Sequence, residues 1–472
     1  MSSLSPLDIA ESAVSEFAGS LKGDLIQPED PGYHEARAIW NGMIDRRPAL
    51  IAQCSGVTDV VSSVNFARTH QLLVSVRGGG HNVSGNAVCD GGLMIDLSQM
   101  TGIDVDPTDG TVRAEAGALL ADLDRDTQAF GLAVPAGTVS ETGIAGLTLG
   151  GGLGWLMRKH GLTCDNLISA EVVKADGSIV TASETENSDL LWGLRGGGGN
   201  FGIVTSFQYQ AFPVGPTVLA GWVLHPMEQA ADFFNFYAEF TREVPDELTT
   251  IGVLRILPPT ASIPEELHGL RVAGASICYS GDLDAGKRLV QPLRDFGSPV
   301  IDTIAPKPFV DHQAISDAGV PAGFHYYEKS EFLPSLTGEM IETLVRHATQ
   351  VISPNAFVGL FQLGGAVGRI GENATAYTHR DAAFSLIISA GWPNPDETEN
   401  QVAWVRGFWN AMQPFSTGGA YVNFMSGDDG EDRIRDAYGE TKYQRLVNLK
   451  TKYDPTNFFR LNQNINPLHT LR

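Results

Sequence analysis

Three glycine-rich loops, at residues 77–80, 146–154 and 196–202, constrain what this chain can fold into more than any other feature. Each reads as a loop that follows a strand. Glycine reaches positive φ without strain and lets backbone N–H groups come close to a phosphate. Three such loops suggest a backbone wrapped around something extended and anionic, with room for a flat ring at one end. Many of the 53 glycines fall in these runs, so they are local structure and not low complexity.

The elements around the loops alternate. Ala49-Leu-Ile-Ala52 reads as a short strand, and residues 57–70 carry helical spacing at Val60, Val61, Val64 and Ala67, with Thr58-Asp59 as cap candidates. Leu72-Leu-Val-Ser-Val76 is a buried strand that runs into Arg77-Gly-Gly-Gly-His81. Strand, helix, strand and glycine loop form an α/β unit. Short strands continue at 93–97, 112–116 and 171–175, with turns at Asp109-Gly110 and Asp176-Gly177. Residues 1–45 read as a polar helical lead-in. Beyond Pro213-Val-Gly-Pro216 the glycine density falls and long helical patterns appear at 227–243 and 284–296. A last helical pattern spans 433–453. The expected division is 1–217, 218–425 and a returning segment 426–472, in keeping with a length of 472 residues.

Charge and cysteine usage exclude several classes. There are 32 basic and 55 acidic residues, a formal net charge of −23, and no Lys/Arg cluster, so no nucleic-acid partner is expected. Cys54, Cys89, Cys164 and Cys278 are scattered, with no C-x-x-C pair, so neither a disulfide framework nor a metal site is expected. Met1-Ser-Ser-Leu-Ser-Pro6 lacks a basic region followed by an apolar run, and no 18-residue apolar stretch occurs. The expectation is a cytoplasmic protein without a membrane partner. The oligomeric state is left open.

The glycine loops discriminate among cofactors. Gly150-Gly-Gly-Leu-Gly154 does not give G-x-G-x-x-G opening a helix at the first strand. Gly197, Gly199 and Gly202 do match that spacing, but they enter the strand-like Ile203-Val-Thr-Ser-Phe207, which argues against a Rossmann site. No G-x-x-x-x-G-K-[ST] is present, which excludes a P-loop. His81 directly follows three glycines. An isolated histidine at a loop end would simply be exposed. A histidine after a pyrophosphate cradle is placed beside the cofactor.

Val76-Arg-Gly-Gly-Gly-His-Asn82, Gly150-Gly-Gly-Leu-Gly154, the run Leu191–Val204 and the tail Tyr453–Ile465 together resemble the berberine-bridge-enzyme-like group of the vanillyl-alcohol-oxidase superfamily. The resemblance covers the N-terminal half and the tail, and is looser over 220–420. It implies an α+β fold: a PCMH-type FAD-binding domain of two α+β subdomains, and an α+β substrate domain with an antiparallel sheet. It implies FAD bonded to His81 through the 8α carbon. Some members add a second link from a cysteine after a Pro-Ala-Gly segment. Here that segment is Pro135-Ala-Gly-Thr-Val-Ser140, and Val139 stands at the cysteine's place, so a single link is expected. Cys164 reads as a plain buried thiol.

The resemblance also distributes roles. Arg77, Gly78, Gly79, Gly80 and Asn82 fall in the pyrophosphate loop. Gly143, Gly146, Gly151, Gly152 and Gly154 let the chain pass near the cofactor, unless some serve packing alone. Gly202, Ile203 and Val204 fall on the adenine or ribose side, or form an ordinary strand entry. Asn462 and Asn464 reach toward the flavin, or form turns. Gly418-Gly-Ala-Tyr-Val-Asn-Phe424 resembles the family strand whose tyrosine faces the flavin, which makes Tyr421 the candidate base. A tyrosine titrates near 10 and needs a nearby cation or the flavin's field, and Lys329 is the candidate cation. Gln362, Tyr377 and His379 are candidate pocket residues. Alternation over 357–363 puts Phe361 and Leu363 on one face and Gln362 on the other.

The leading expectation is an oxidase that takes hydride from an alcohol or sugar hydroxyl of a small organic substrate and passes electrons to molecular oxygen, releasing hydrogen peroxide. The alternatives are an amine oxidase or oxidative cyclase acting at a C–N bond, an oxygen-insensitive flavin dehydrogenase, a flavin-carrying protein without turnover, and an oxidoreductase with uncovalent flavin or NAD.

Overall fold

The computed structural model describes residues 9–260 and 263–468. The leader reading concerns residues 1–6 and lies outside them. The first sheet has four strands, in the order Asp24–Ile26, Leu50–Gln53, Leu93–Asp96, Val74–Arg77. The last three are parallel, because the helix Val57–Thr69 carries the chain from Leu50–Gln53 back to start Val74–Arg77 at the far edge. Their inward positions are wholly apolar (Leu50, Ala52, Val74, Leu93 and Ile95 are all buried), as expected for a sheet covered on both faces.

The lead-in is only partly helical. After the helix Glu11–Ser20, Asp24–Ile26 pairs antiparallel with Leu50–Gln53. Asp59 is not the cap of its helix, whose N-cap is Gly56. Its carboxylate instead accepts the backbone N–H groups of Lys22 (2.9 Å), Gly23 (3.0 Å) and Ser55 (2.9 Å), and so anchors the strand that precedes it.

A second, antiparallel sheet follows the order Ile103–Asp106, Thr111–Glu115, Ile203–Gln210, Leu167–Val173, Ile179–Ser183. Its two hairpins turn at Gly110 and Gly177, whose φ values of +63° and +82° disfavour any side chain. The 197–202 glycines thus feed a central strand of an antiparallel sheet, which rules out the Rossmann geometry.

The third sheet is antiparallel and takes all its strands from 217–392. Its main path runs Ile301–Asp302, Thr217–Pro226, Arg271–Tyr279, Leu248–Ile256, Phe357–Gln362, Phe384–Trp392, His325–Leu333. Helices Ala230–Phe240, Leu283–Asp295, Gly338–Ala348 and Thr398–Met412 cover one face, burying Phe233, Tyr237, Leu344 and Phe408. The other face packs on Leu153, Trp155, Leu156 and Leu162 of the glycine-loop half. Both faces are therefore apolar. Arg158 pins the two halves together by donating to the carbonyls of Leu248, Val244 and Leu363.

The expected helix 433–453 is two helices. Gly439, at φ +67°, ends Glu431–Tyr438 and starts Glu440–Tyr453. Among the described residues no helix is long and apolar enough to cross a membrane.

Candidate active site

A cavity of about 370 Å³ lies between the glycine loops and the uncovered face of the large sheet. The sequence candidates that line it are Gly78, Gly79, Gly80, His81, Asn82, Gly143, Gly146, Gly202, Ile203, Val204, Tyr421 and Asn462. They arrive from five separate stretches of chain. The first loop touches the chain just ahead of the second: a Cβ added at Gly79 would lie 2.5 Å from the Gly143 backbone, so neither position accepts a side chain.

His81 is held as one layer of a stack. Its ring lies 4.2 Å from Trp40 with an interplanar angle of 18°, and Trp40 lies 3.8 Å from Tyr326 on the large sheet. Asn41 fixes that stack by donating to the carbonyls of Val83 (2.8 Å) and Tyr326 (3.0 Å) and accepting from the Tyr326 N–H. Burial pushes the His81 imidazole down to about 4, so the ring is neutral at physiological pH. Its Nε2 is buried and has no partner among the described residues. Asn462 likewise carries a buried, unpartnered Oδ1, while its Nδ2 donates to Gly199 and Phe459.

Tyr421 sits at the opening of a short 3-10 turn, Val422–Phe424, and not on a strand. Its hydroxyl oxygen accepts from the Gly152 N–H (2.8 Å) and from the Asn423 amide (2.8 Å). A phenol oxygen has two acceptor positions, and both are filled. Its own proton therefore has no acceptor among the described residues. Burial pushes the phenol up to about 12, against the pull of the two donors.

Several expected residues lie elsewhere. Lys329 points to the helix-covered side of the sheet, where Asp428 (3.0 Å) and Asp429 (2.6 Å) hold it, so it cannot serve Tyr421. Gln362 also faces the helices, accepting from Thr250 (2.8 Å) and donating to the Thr241 carbonyl (2.9 Å). Arg77 is spent on Asp96 and on the carbonyls of Ala36 and Ala38. Gly151, Gly152 and Gly154 pack behind the cavity wall: a Cβ at Gly154 would meet the Ala136 carbonyl at 1.5 Å, and Gly152 serves through its N–H. Asn464 turns to Asn466. Tyr377 backs Tyr421 edge-on at 6.2 Å, and His379 stacks on Phe332, so neither lines the cavity. Cys164 is fully buried, its thiol pushed up by burial, and lies off the cavity, whereas Val139 lines it.

Other lining residues carried no motif: Trp40, Arg255, Glu328 and Ser389; Asn423 fell within the Gly418–Phe424 segment but was given no role. Glu328 was one position away from the lysine that drew attention. Neighbouring strand residues face opposite sides, so Glu328 faces the cavity while Lys329 faces the helices. Burial lifts the Glu328 carboxyl to about 7, and Ser389 donates to it at 2.8 Å.

The arrangement, a buried neutral histidine above a glycine cradle with a tyrosine across the cavity, defines a flavin-type oxidoreductase site. Family comparison agrees. Residues 48–183 match the model described as "FAD binding domain", and residues 420–466 match "Berberine and berberine like". An FAD-linked oxidoreductase of Dictyostelium discoideum is 32% identical over 464 residues, covering 97% of this chain and 98% of its own. A chitooligosaccharide oxidase of Gibberella zeae is 30% identical, covering 92% and 90%. The crystal structure of 6-hydroxy-D-nicotine oxidase from Arthrobacter nicotinovorans superimposes with a TM-score of 0.86 at 28% identity, covering 95% and 98%. The chain belongs to the berberine-bridge-enzyme-like FAD-linked oxidoreductases of the vanillyl-alcohol-oxidase superfamily.

Proposed function

We propose that this enzyme oxidises a small, largely apolar alcohol to a carbonyl compound, with FAD linked to His81 and molecular oxygen as the acceptor, releasing hydrogen peroxide. Bound FAD supplies the hydride acceptor. The cavity fits it on two counts: the orphaned His81 Nε2 and the touching Gly79 and Gly143 backbones. His81 is the one residue to which flavin is bonded, since a neutral imidazole keeps the lone pair that a bond to carbon needs. Val139 offers no second link. Gly78, Gly80, Asn82 and Gly146 would hold the pyrophosphate side. Gly202, Ile203, Val204 and Asn462 would hold the ribose and adenine side.

The observation that carries the chemistry is the Tyr421 hydroxyl, which accepts from Gly152 and Asn423. Two donors on one oxygen stabilise the negative charge that grows when a phenol gives up its proton. Tyr421 takes the substrate hydroxyl proton while the carbon-bound hydrogen leaves. With the phenol pushed up to about 12, the base is the minor phenolate form, which has already lost its proton to solvent and is held by the Gly152 and Asn423 N–H groups, so its oxygen is free to take the substrate's proton. Ile251, Val253, Phe357, Phe361 and Ile387 make the substrate wall, which disfavours a polyhydroxylated sugar.

A second reading, oxidation at a C–N bond, is favoured by one observation: among the described residues no cation lies beside Tyr421, and a neutral amine gives up hydride without a base. The test has two parts. Acid denaturation and peptide mass spectrometry should place flavin on the His81 peptide alone, and flavin that washes out ends the covalent reading. Tyr421→Phe should cut turnover of alcohols by about a hundredfold or more. Undiminished turnover of alcohols, or turnover confined to amines, would overturn the alcohol reading.

A further inference from the structure

We propose that Arg255 is an anion-recognition group at the substrate end of the cavity, and that the substrate is an apolar compound bearing one carboxylate. This deepens the oxidoreductase reading of the same cavity and rests on it.

Arg255 stands on the strand Leu248–Ile256, only 7% exposed. Cross-strand pairing places Arg255 opposite Phe357, Phe357 opposite Ser389, and Ser389 opposite Glu328. These four form one row across the sheet, and all four line the cavity. With strands about 4.8 Å apart, the two ends of the row are about 14 Å apart in backbone position.

The guanidinium is poorly satisfied. Its Nε reaches the Ile256 carbonyl at 3.3 Å and its Nη2 the Pro354 carbonyl at 3.4 Å, both long. Its carbon lies 5.8 Å from the Trp222 ring. No carboxylate pairs with it among the described residues. The other deeply buried arginines are treated differently. Arg380 pairs with Asp165. Arg158 spends its three nitrogens on three carbonyls. A buried charge is costly unless it is countered, so an uncountered arginine in a cavity wall awaits its counter-ion from outside the chain.

The lining says what that counter-ion is attached to. Trp222, Val253, Phe357 and Ile387 surround the row, so the body of the ligand is apolar. Among the described residues, Glu328 is the one acidic residue in the lining. Its carboxyl is lifted to about 7, so it is largely neutral in mildly acid solution and neither pairs with Arg255 nor repels an anion. One guanidinium, with no second lysine or arginine in the lining among the described residues, matches a single negative charge. A planar carboxylate fits the planar fork better than a dianionic phosphate does.

The test uses the purified flavoprotein and three acids, benzoate, phenylacetate and 4-hydroxyphenylacetate, each beside its neutral amide. Binding is read by isothermal titration calorimetry and by perturbation of the flavin spectrum. We expect at least one acid to bind ten-fold or more tightly than its amide. Arg255→Met should abolish that preference, and Arg255→Lys should keep part of it. Removing an unpaired buried cation should also leave the melting temperature unchanged or raise it. The proposal falls if no acid is preferred, if the preference persists in Arg255→Met, or if that variant melts lower. A protein that shows the acid preference by calorimetry but carries no flavin would leave this inference standing and end the oxidoreductase reading instead.

Discussion

Lys450 offers the sharpest test of how the tail closes the cavity. Its ammonium is completely buried and uses all three donors: the Asn200 carbonyl at 2.8 Å, the Phe459 carbonyl at 2.8 Å and Asp454 at 2.7 Å. Asp454 in turn accepts the N–H groups of Phe458 and Phe459, both at 2.8 Å. The cluster thus ties the last helix, the third glycine loop and the tail together. Replacing Lys450 with Met removes the cation, leaves two buried carbonyls without donors and strands a buried carboxylate. Breaking one partner out of such a pair costs about 3–5 kcal/mol. Adding Asp454→Asn removes the stranded charge but keeps an acceptor oxygen, so the double variant should recover at least about 1 kcal/mol of that loss. The assay is equilibrium urea unfolding of wild type, both singles and the double. A loss below about 1 kcal/mol for Lys450→Met, or a double variant as unstable as the sum of the singles, would refute the reasoning.

Three further outcomes are expected. Glu328 has its carboxyl lifted from 4.5 to about 7, so its contribution to stability is complete below the ordinary carboxylate range and is lost as pH rises through about 7. Thermal melts from pH 5 to 8 should therefore fall more steeply for wild type than for Glu328→Gln. Asp124, lifted to about 7 by burial, and Glu331, raised by burial, contribute to the slope that remains in the variant. Gly150→Ala would place a Cβ 2.1 Å from the Asn423 amide oxygen, displacing a donor of Tyr421, so kcat should fall several-fold with little change in melting temperature. Cys164, buried and with its thiol pushed up by burial, should resist thiol reagents in the native protein and react on unfolding, as followed by absorbance of the released chromophore.

The sequence made the cradle legible and left its far wall obscure. Gly79 and Gly143 had to be glycine because two backbones touch there, and that constraint shows in the letters. His81 followed from its place after the cradle. The large sheet behaved otherwise. It is packed on both faces, so apolar residues occupy odd and even positions alike, and alternation cannot say which face meets the cavity. That is why Lys329 and Gln362 were singled out although Glu328 and Phe361 are the residues that face inward. Arg77 was read as part of the loop because it precedes the glycines, yet a partner 19 residues on, Asp96, decides where it goes. Trp40 sits in a stretch without motif or period, and only the tertiary stack on His81 gives it meaning. The helix break at Gly439 was visible as a lone glycine, but nothing local distinguished it from a tolerated one.

The cavity draws on residues from Trp40 to Gln463, and the tail closes it only after a sheet of more than a hundred residues has intervened. During synthesis, His81 and the first two glycine loops emerge early, while Tyr421, Asn423 and Asn462 emerge only after the large sheet. A growing chain therefore cannot present a complete cavity before the tail has followed, and a product cut off anywhere upstream of the tail has an open, unfinished site.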